Sequence, residues 1–217
     1  MNNSKIKQFG FAEDRVKHII ENPFEGQIDT GMMMRALRSI VNEKDISFFS
    51  NVTLTDFDLS KDQNHLSLKL KNIDFNFHCN NLAICNNAFA SQLLPSLKIS
   101  PGRGLVILTE PIPNLRLEGT FHYQQGYYYF RNIKDRILLG GGRSVDFDTE
   151  TTTSFGVNPK IKNQLIEDLQ NFIFPSEKVS LDMEWSGIMA FGKDKMPIVK
   201  KHQNNIVIGV KLSGMGV

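Results

Sequence analysis

The amino-acid sequence predicts an α+β fold, built mainly from antiparallel strands with flanking helices. Three observations lead to this prediction. Apolar residues recur at helical spacing in a few segments, they alternate with period two in many short runs, and polar or glycine-containing turns separate those runs. With 217 residues and 41% hydrophobic content, the chain can bury the core of one large domain or of two small ones.

Helical periodicity is found in three segments. The first is Glu13–Asn22, which is followed by a proline that stops a helix. The second begins with Asp29 or Thr30 as its N-cap and runs to about Asn42, and we interpret its methionine-rich apolar stripe as core packing. The third is Asn158–Phe172, where an asparagine N-cap precedes a proline at the first helical position.

Period-two alternation predicts the strands. Gln124-Gln125-Gly126 is typical of a hairpin turn, and the three glycines from Gly140 to Gly142 let the backbone bend or approach a neighbour closely. The predicted strands are Ser47–Phe49, Val52–Leu59, His65–Leu70, Ile73–Phe77, Leu105–Thr109, Arg116–Tyr123, Tyr127–Arg131, Arg136–Leu139, Val179–Ala190, Ile198–Lys200 and Ile206–Leu212.

Residues 81–95 predict a short apolar strand, a turn at Asn86-Asn87 and a helix that ends before Pro95. A strand that leads into a helix N-terminus directs free backbone N–H groups beyond the sheet edge, where a phosphate or a flavin could bind. An ordinary strand-turn-helix connection explains the same pattern. Both interpretations stay open at this point.

Composition excludes several classes of function. The formal net charge is +2, with 25 basic residues among 23 acidic ones, so nothing indicates a nucleic-acid or anionic-membrane surface. Cys79 and Cys85 lack the spacing of a zinc or redox site, and we interpret both as reduced thiols without a metal. The sequence contains neither a long apolar span nor a secretory signal, so we expect a cytoplasmic protein.

Several blocks of the sequence follow a known pattern in the same order along the chain. They are Gly26–Met33, Ser50–Val52, Leu82–Ala88, Pro101–Pro111, Tyr127–Gly142, and Trp185–Gly187 with Asp194–Pro197. In this order the blocks resemble the superfamily of FAD-dependent oxidoreductases that contains D-amino-acid oxidase, glycine oxidase and sarcosine oxidase. Leu82–Ala88 resembles that family's strand and Ala-Thr-Gly-Ala turn beside the cofactor.

The resemblance implies three parts of the chain. Residues 1–100 correspond to an incomplete FAD-binding domain, 101–190 to a substrate-binding domain with an antiparallel sheet, and 191–217 to a truncated return to the FAD-binding domain. The family's Gly-x-Gly-x-x-Gly turn, whose helix binds the cofactor pyrophosphate, does not occur in this sequence. We therefore expect a piece of a longer enzyme, or a degenerate protein, and we prefer the first; the chain alone is expected to be inactive.

FAD is the cofactor that the resemblance implies. The small residues of Ser213–Gly216 would allow close backbone approach to the flavin, where oriented N–H groups stabilise the charge of the reduced ring. A plain turn after the last strand is the alternative interpretation of this segment. The residues implied to contact FAD are Val52, Cys85, Asn86, Asn87, Gly187, Gly214, Met215, Gly216 and Val217.

A small-molecule amine or amino acid is the implied substrate. Arg131 is the first candidate to bind its carboxylate, because a planar guanidinium donates two parallel hydrogen bonds. Tyr127 and Tyr129 could complete the pocket, and His122 could reach it from the neighbouring strand. Lys211 is a weaker candidate, at a place where members similar to glycine oxidase carry arginine. A surface arginine among packed aromatic residues is the alternative interpretation of Arg131.

Three hypotheses for function remain. The leading one is a partial FAD-dependent oxidoreductase that oxidises an amine or amino acid by hydride transfer to the flavin. The second is a non-catalytic or degenerate oxidase-like binding domain. The third is a flavin-dependent module that modifies an aminomethyl group in tRNA, against which the near-neutral charge argues. The substrate, the electron acceptor and the oligomeric state are not specified by the sequence.

Overall fold

The computed structural model describes residues 4–60, 64–75 and 77–214. The described residues form two compact units. The first unit comprises Met1–Gln27 and Arg103–Ile188, and the second comprises Ile28–Gly102 and Met189–Val217, in each case for the residues described. The predicted α+β class is confirmed. None of the described helices has the length and apolar character needed to cross a bilayer.

Four α-helices and eleven strands are found among the described residues. Short 3₁₀ turns occupy Asn87–Phe89, Gln124–Gly126 and Arg143–Val145, and a π-helical turn, Leu169–Ile173, continues the last helix. The helices are α1 (Ser4–Phe9), α2 (Thr30–Glu43), α3 (Ala90–Leu93) and α4 (Pro159–Asp168). The strands are β1 (Leu54–Leu59), β2 (Leu66–Leu70), β3 (Phe77–Cys79), β4 (Leu82–Ile84), β5 (Ser100–Thr109), β6 (Thr120–Tyr123), β7 (Tyr128–Ile133), β8 (Arg136–Gly141), β9 (Leu181–Phe191), β10 (Ile198–Gln203) and β11 (Ile206–Val210).

The first unit is built on a five-stranded sheet in the order β6-β7-β8-β5-β9, in which β6, β7, β8 and β5 are successively antiparallel. One face of this sheet packs against α4 and the N-terminal segment. Alternate residues of β7, Tyr128 and Phe130, point into that core, as expected for a strand with one buried face. Phe121 stacks on Phe130 with ring centroids 4.8 Å apart.

A buried ion pair fixes the start of α4 to the sheet. The Arg103 guanidinium donates two hydrogen bonds to the Glu150 carboxylate, at 2.9 and 2.8 Å, and Glu150 is only 1% exposed. The Asn158 side-chain amide donates to the same carboxylate at 2.9 Å, while its oxygen caps α4 by accepting from the Lys160 backbone N–H at 3.0 Å. One carboxylate thus connects β5, the preceding loop and the helix N-terminus.

The second unit contains two small sheets. Strands β1, β2 and β3 are antiparallel, as the predicted meander requires, although β3 begins later than predicted. In the other sheet, in the order β10-β11-β4, β10 is antiparallel to β11 and β4 is parallel to it. The core of this unit is formed by aliphatic residues, among them Leu66, Ile84, Leu94, Ile206 and Ile208.

Helix α2 has an exposed apolar face. Its N-cap is Asp29, whose carboxylate accepts from the Met32 N–H at 2.8 Å, so the predicted start is confirmed. No residue of α2 is buried, and the interpretation of its stripe as core packing is therefore wrong for the described part of the chain. Periodicity identifies an amphipathic face but does not say what covers it. The exposed apolar side chains of α2 and the segment after it are Met32, Met34, Leu37, Ile40, Ile46, Phe48 and Phe49.

Two other predicted elements are wrong. Glu13–Asn22 forms no helix: Val16 and Ile19 pack against the core from an irregular segment, while Ile20 is 86% exposed. Too little of the predicted stripe is buried to compensate the cost of nucleating a short helix. Ser47–Phe49 forms no strand, because the described chain supplies no neighbouring strand for it. Helix α4 begins at Pro159 with Asn158 as its N-cap, which confirms the prediction.

Glu150→Gln should lower the free energy of unfolding of the first unit by about 3 to 5 kcal/mol, because it leaves the Arg103 charge in a protein interior without its counter-ion. Urea unfolding followed by fluorescence measures this change, since Trp185 is the single tryptophan of the chain. Glu184→Gln is the matched control: Glu184 pairs with Lys162 at 2.6 Å, but both side chains are about one third exposed. We expect the control to change the free energy by less than about 1 kcal/mol.

The same ion pair gives a pH dependence that provides a second measurement. Burial alone would raise the pKa of Glu150, but hydrogen bonds from Arg103 and Asn158 and the charge of Arg103 outweigh burial and leave the pKa below the ordinary value of 4.5. The stabilisation is therefore complete above pH 4.5 and is lost as the pH falls through the lowered pKa. An acid unfolding curve that is identical in wild type and Glu150→Gln would contradict this assignment.

Candidate functional site

A cleft of about 340 Å³ lies in the second unit, between the start of β1 and the turn that follows β4. Its lining is mainly apolar, with a thiol, a hydroxyl and two side-chain amides. Three of the residues predicted to contact FAD, Val52, Cys85 and Asn86, line this one cleft although more than 30 positions separate the first from the others. The full lining is Val52, Thr53, Leu54, Leu82, Ala83, Ile84, Cys85, Asn86, Phe89, Gln92 and Leu93.

The strand-turn-helix that forms one wall of the cleft follows from its sequence. Strand β4 is held by parallel pairing to β11, and the chain then leaves the sheet at Cys85. Asn87 has a φ of +49°, a left-handed conformation that asparagine tolerates better than most non-glycine residues. The reversal at Asn87 directs the chain into the 3₁₀ turn and α3, so that Phe89 and Gln92 also reach the cleft.

Asn87 does not line the cleft; it contacts the end of the chain. Its Oδ1 accepts a hydrogen bond from the Leu212 backbone N–H at 3.2 Å. Gly214, another predicted FAD contact, follows in the same turn and has open space at its Cβ position. Met215, Gly216 and Val217 lie outside the described residues. Gly187 lies on β9 in the first unit.

Lys211 is engaged in an ion pair. Its Nζ atom contacts the Asp194 carboxylate at 2.5 Å, and the residue is buried. This hydrogen bond, a second from the Met196 N–H and the charge of Lys211 lower the pKa of Asp194. The aliphatic part of Lys211 lies over Gly192, where a Cβ atom would approach its Cδ to 2.6 Å. The side chain therefore anchors the loop after β9.

The predicted substrate residues are distributed over the sheet of the first unit. Because Tyr128 and Phe130 face the core, Tyr129 and Arg131 lie on the opposite face of β7. His122 of β6 is the register partner of Tyr129, which places it on the same face. The register therefore places these three side chains on the face of the sheet away from α4.

The Tyr129 ring lies across the backbone of β8. Gly140 is its register partner, and a Cβ atom there would lie 2.6 Å from the tyrosine hydroxyl and from Cζ. Burial of the hydroxyl end raises the pKa of Tyr129, while the positive charge of Arg131 lowers it by less. The residue as a whole is 42% exposed, so part of the side chain faces solvent although the end of the ring packs over Gly140. Glycine at position 140 permits this arrangement.

Tyr127 belongs to a different cluster. It precedes β7, and its ring meets Phe147 edge-on at a centroid distance of 6.1 Å. The Arg143 guanidinium lies 5.0 Å from the centre of the Phe147 ring and donates to the Thr151 hydroxyl at 3.1 Å. Tyr127 thus contacts a cation–π pair.

A second concavity, a groove of about 970 Å³, runs beside β6 in the first unit. Aromatic side chains including Phe11, Phe121 and Phe172 form its floor, and Glu21 and His122 are among its polar lining residues. His122 therefore borders this groove as well as the exposed sheet face. Sequence patterns did not indicate the groove, because the segment from Phe11 to Gln27, which forms much of one wall, contains no helix or strand.

Comparison with known proteins identifies the family. The profile of the family described as FAD dependent oxidoreductase matches residues 5–217. The chain belongs to this family. The predicted family and its FAD dependence are thereby confirmed. No curated protein matches the chain.

Solved structures of the FAD-dependent oxidoreductase fold are similar over most of this chain. L-proline dehydrogenase from P. horikoshii aligns with a TM-score of 0.79 at 15% identity, covering 99% of this chain and 59% of that one. Glycine oxidase from Geobacillus kaustophilus aligns with a TM-score of 0.63 at 18% identity, covering 77% of this chain and 44% of that one. Iminodiacetate oxidase from Chelativorans sp. BNC1 aligns with a TM-score of 0.62 at 14% identity, covering 84% of this chain and 49% of that one. These likenesses show the fold, and the chain spans about half the length of these structures.

Several residues of the candidate site could not be found from sequence. Gln92 and Phe89 reach the cleft only because of the turn at Asn87, and Gly140 matters only because Tyr129 lies across it. The pair Lys211–Asp194 joins positions with no sequence signal of contact. The packing of Tyr129 over Gly140 had one sequence signal, a glycine near a tyrosine in a predicted hairpin, since aromatic rings often pack over strand glycines.

Gly140→Ala should destabilise the first unit by about 1 to 3 kcal/mol, because the new methyl group overlaps the Tyr129 ring and forces it off the sheet. Urea unfolding followed by Trp185 fluorescence measures the change. Gly187→Ala is the control, since a Cβ atom there meets nothing within 4 Å on a strand of the same sheet. In a Tyr129→Ala background the cost of Gly140→Ala should vanish. An equal cost in both backgrounds would contradict the assigned packing.

Proposed function

We propose that this chain contributes to the FAD-dependent oxidation of an amine or amino acid, with cofactor contacts in the second unit and substrate contacts on the sheet of the first. The cleft lined by Val52, Cys85 and Asn86 is the observation that carries the proposal. It brings together residues that the sequence resemblance assigned separately to FAD. We also expect a cytoplasmic location and a small-molecule substrate.

The cleft suits an uncharged part of the cofactor. Apolar side chains such as Leu54, Ile84 and Leu93 can pack on a planar ring, and the amides of Asn86 and Gln92 can hydrogen-bond its edge. None of the residues that line the cleft is charged. We therefore assign the cleft to a ring or sugar portion of FAD, and we assign no residue of the described chain to the pyrophosphate.

FAD, when bound, would supply an acceptor for the hydride of the amine-bearing carbon. The residues of this chain would then have to hold the substrate and exclude water. Arg131 is suited to binding a carboxylate because its guanidinium offers two parallel donors. Tyr129 lies beside that charge, and its hydroxyl remains protonated since burial raises its pKa. It can therefore donate a hydrogen bond to the same group.

The names of the similar structures support a substrate with both an amine and a carboxylate. They are a proline dehydrogenase, a glycine oxidase and an iminodiacetate oxidase. Proline, glycine and iminodiacetate each combine a carboxylate with an amine nitrogen one carbon away. A guanidinium beside Tyr129 on this sheet face is compatible with that class of substrate.

Excess FAD should slow alkylation of Cys85 by iodoacetamide at least about fivefold, because cofactor in the cleft covers an exposed thiol. Mass spectrometry of the labelled peptides measures the rate. Cys79 is the internal control: it lies on β3 away from the cleft lining, and burial raises the pKa of its thiol. Equal protection of both cysteines, or of neither, would count against the cleft as the cofactor site. ADP and FMN, tested separately, identify the half of FAD that occupies it.

Arg131→Gln should lower kcat/KM for an amino acid about 100-fold in FAD-loaded protein, since hydrogen bonds to a charged group contribute about 1.5–3 kcal/mol. For the decarboxylated amine of the same amino acid, kcat/KM should change less than about threefold. Anaerobic bleaching of the flavin absorbance measures both rates. Arg116→Gln, at an exposed position of the same unit, is the control variant. Equal losses for the acid and the amine would show that Arg131 does not bind the carboxylate.

A further inference from the structure

The turn that follows β11 has two residues in an unfavourable backbone conformation. Lys211 has a φ of +61° and Ser213 a φ of +57°, and neither is a glycine. Left-handed conformations of such residues cost free energy and persist only where neighbouring contacts hold them. The structure must therefore contain interactions that fix the segment Lys211–Gly214, which we call the terminal turn.

Three contacts hold the terminal turn. The Ser213 N–H donates to the Ala190 carbonyl at 3.0 Å, and Lys211 pairs with Asp194. Both of these contacts lead to the end of β9 and the loop after it. The third is different, because Leu212 N–H donates to Asn87 Oδ1 at 3.2 Å and so connects the terminal turn to the wall of the cleft.

Asn87 combines two properties at one position. Its φ of +49° is a conformation that glycine adopts at no steric cost, and the segment Cys85–Ala88 resembles an Ala-Thr-Gly-Ala turn in which the third residue is glycine. A glycine there could make the same backbone reversal but could not contact Leu212. The asparagine side chain therefore adds a connection that the backbone turn does not require.

We propose that Asn87 is a positioning residue that couples the cleft to the terminal turn. Its neighbours Cys85 and Asn86 line the cleft, while its side chain holds the Leu212 N–H. A ligand that orders the Cys85–Asn87 turn thereby also orders the terminal turn. This inference rests on the proposed function where it assigns the ligand as FAD, but the connection itself is a property of the protein without ligand.

The first test is amide hydrogen exchange at Leu212 without ligand. Asn87→Gly keeps the backbone conformation and removes the hydrogen bond, so exchange at Leu212 should become about tenfold faster. Asn87→Asp also tolerates a left-handed φ and retains an acceptor oxygen, so protection should be restored. Asn72→Gly is the matched control, because Asn72 is an exposed asparagine with a φ of +60° in the same unit. Unchanged exchange in Asn87→Gly would overturn the proposal.

The second test measures coupling. Saturating FAD should slow exchange at Leu212 at least about threefold in wild type and in Asn87→Asp, but not in Asn87→Gly. A similar slowing in all three proteins would overturn the coupling, because the effect of the ligand would then bypass Asn87. If FAD does not protect Cys85 from alkylation, the proposed cofactor site fails, and exchange in the ligand-free variants alone decides whether Asn87 holds the terminal turn.

Discussion

The buried carboxylate of Glu150 is the interaction on which the first unit depends. It receives hydrogen bonds from Arg103 at the sheet and from Asn158 at the N-cap of α4, so it determines where the helix begins relative to the strands. The helix in turn covers one face of the sheet, and the residues of β7 are divided between the covered face and the open one. A change in the start of α4 would therefore disturb the covered face of the sheet, where Tyr128 and Phe130 pack.

In the second unit, residues at positive φ shape the cleft, whereas in the first unit a buried ion pair positions α4. Its cleft is formed by a strand, a left-handed residue and a short helix, and the terminal turn again places non-glycine residues at positive φ. Such conformations are stable only when side chains such as Asn87 and Lys211 compensate for them. Asn87, Lys211 and Ser213, all at positive φ, are close to or among the residues assigned to FAD.

The sequence predicted those elements whose signals are local. The N-caps at Asp29 and Asn158 and the hairpin turn at Gln124–Gly126, which joins β6 to β7, depend on residues within one turn, and all three form. The predicted helix at Glu13–Asn22 and the predicted burial of the α2 stripe both depended on which other segments pack against them. Sequence periodicity carries no information about those neighbours. For the same reason the sequence indicated Cys85 and Asn86 as site residues but gave no indication of Gln92.

The proposed binding of a substrate carboxylate requires a cationic side chain that the substrate can reach. Lys211 and Arg131 were both candidates, and Lys211 is buried against Asp194, whose lowered pKa reflects that ion pair. A substrate carboxylate could bind Lys211 only by displacing Asp194. The buried ammonium would then exchange one anion for another, with little net gain in binding free energy. Arg131 lies beside Tyr129 on the sheet face away from α4, so the proposed carboxylate contact there would leave the Lys211–Asp194 pair intact. The proposed substrate-binding role therefore suits Arg131 better than Lys211, and Lys211 serves to fix the terminal turn.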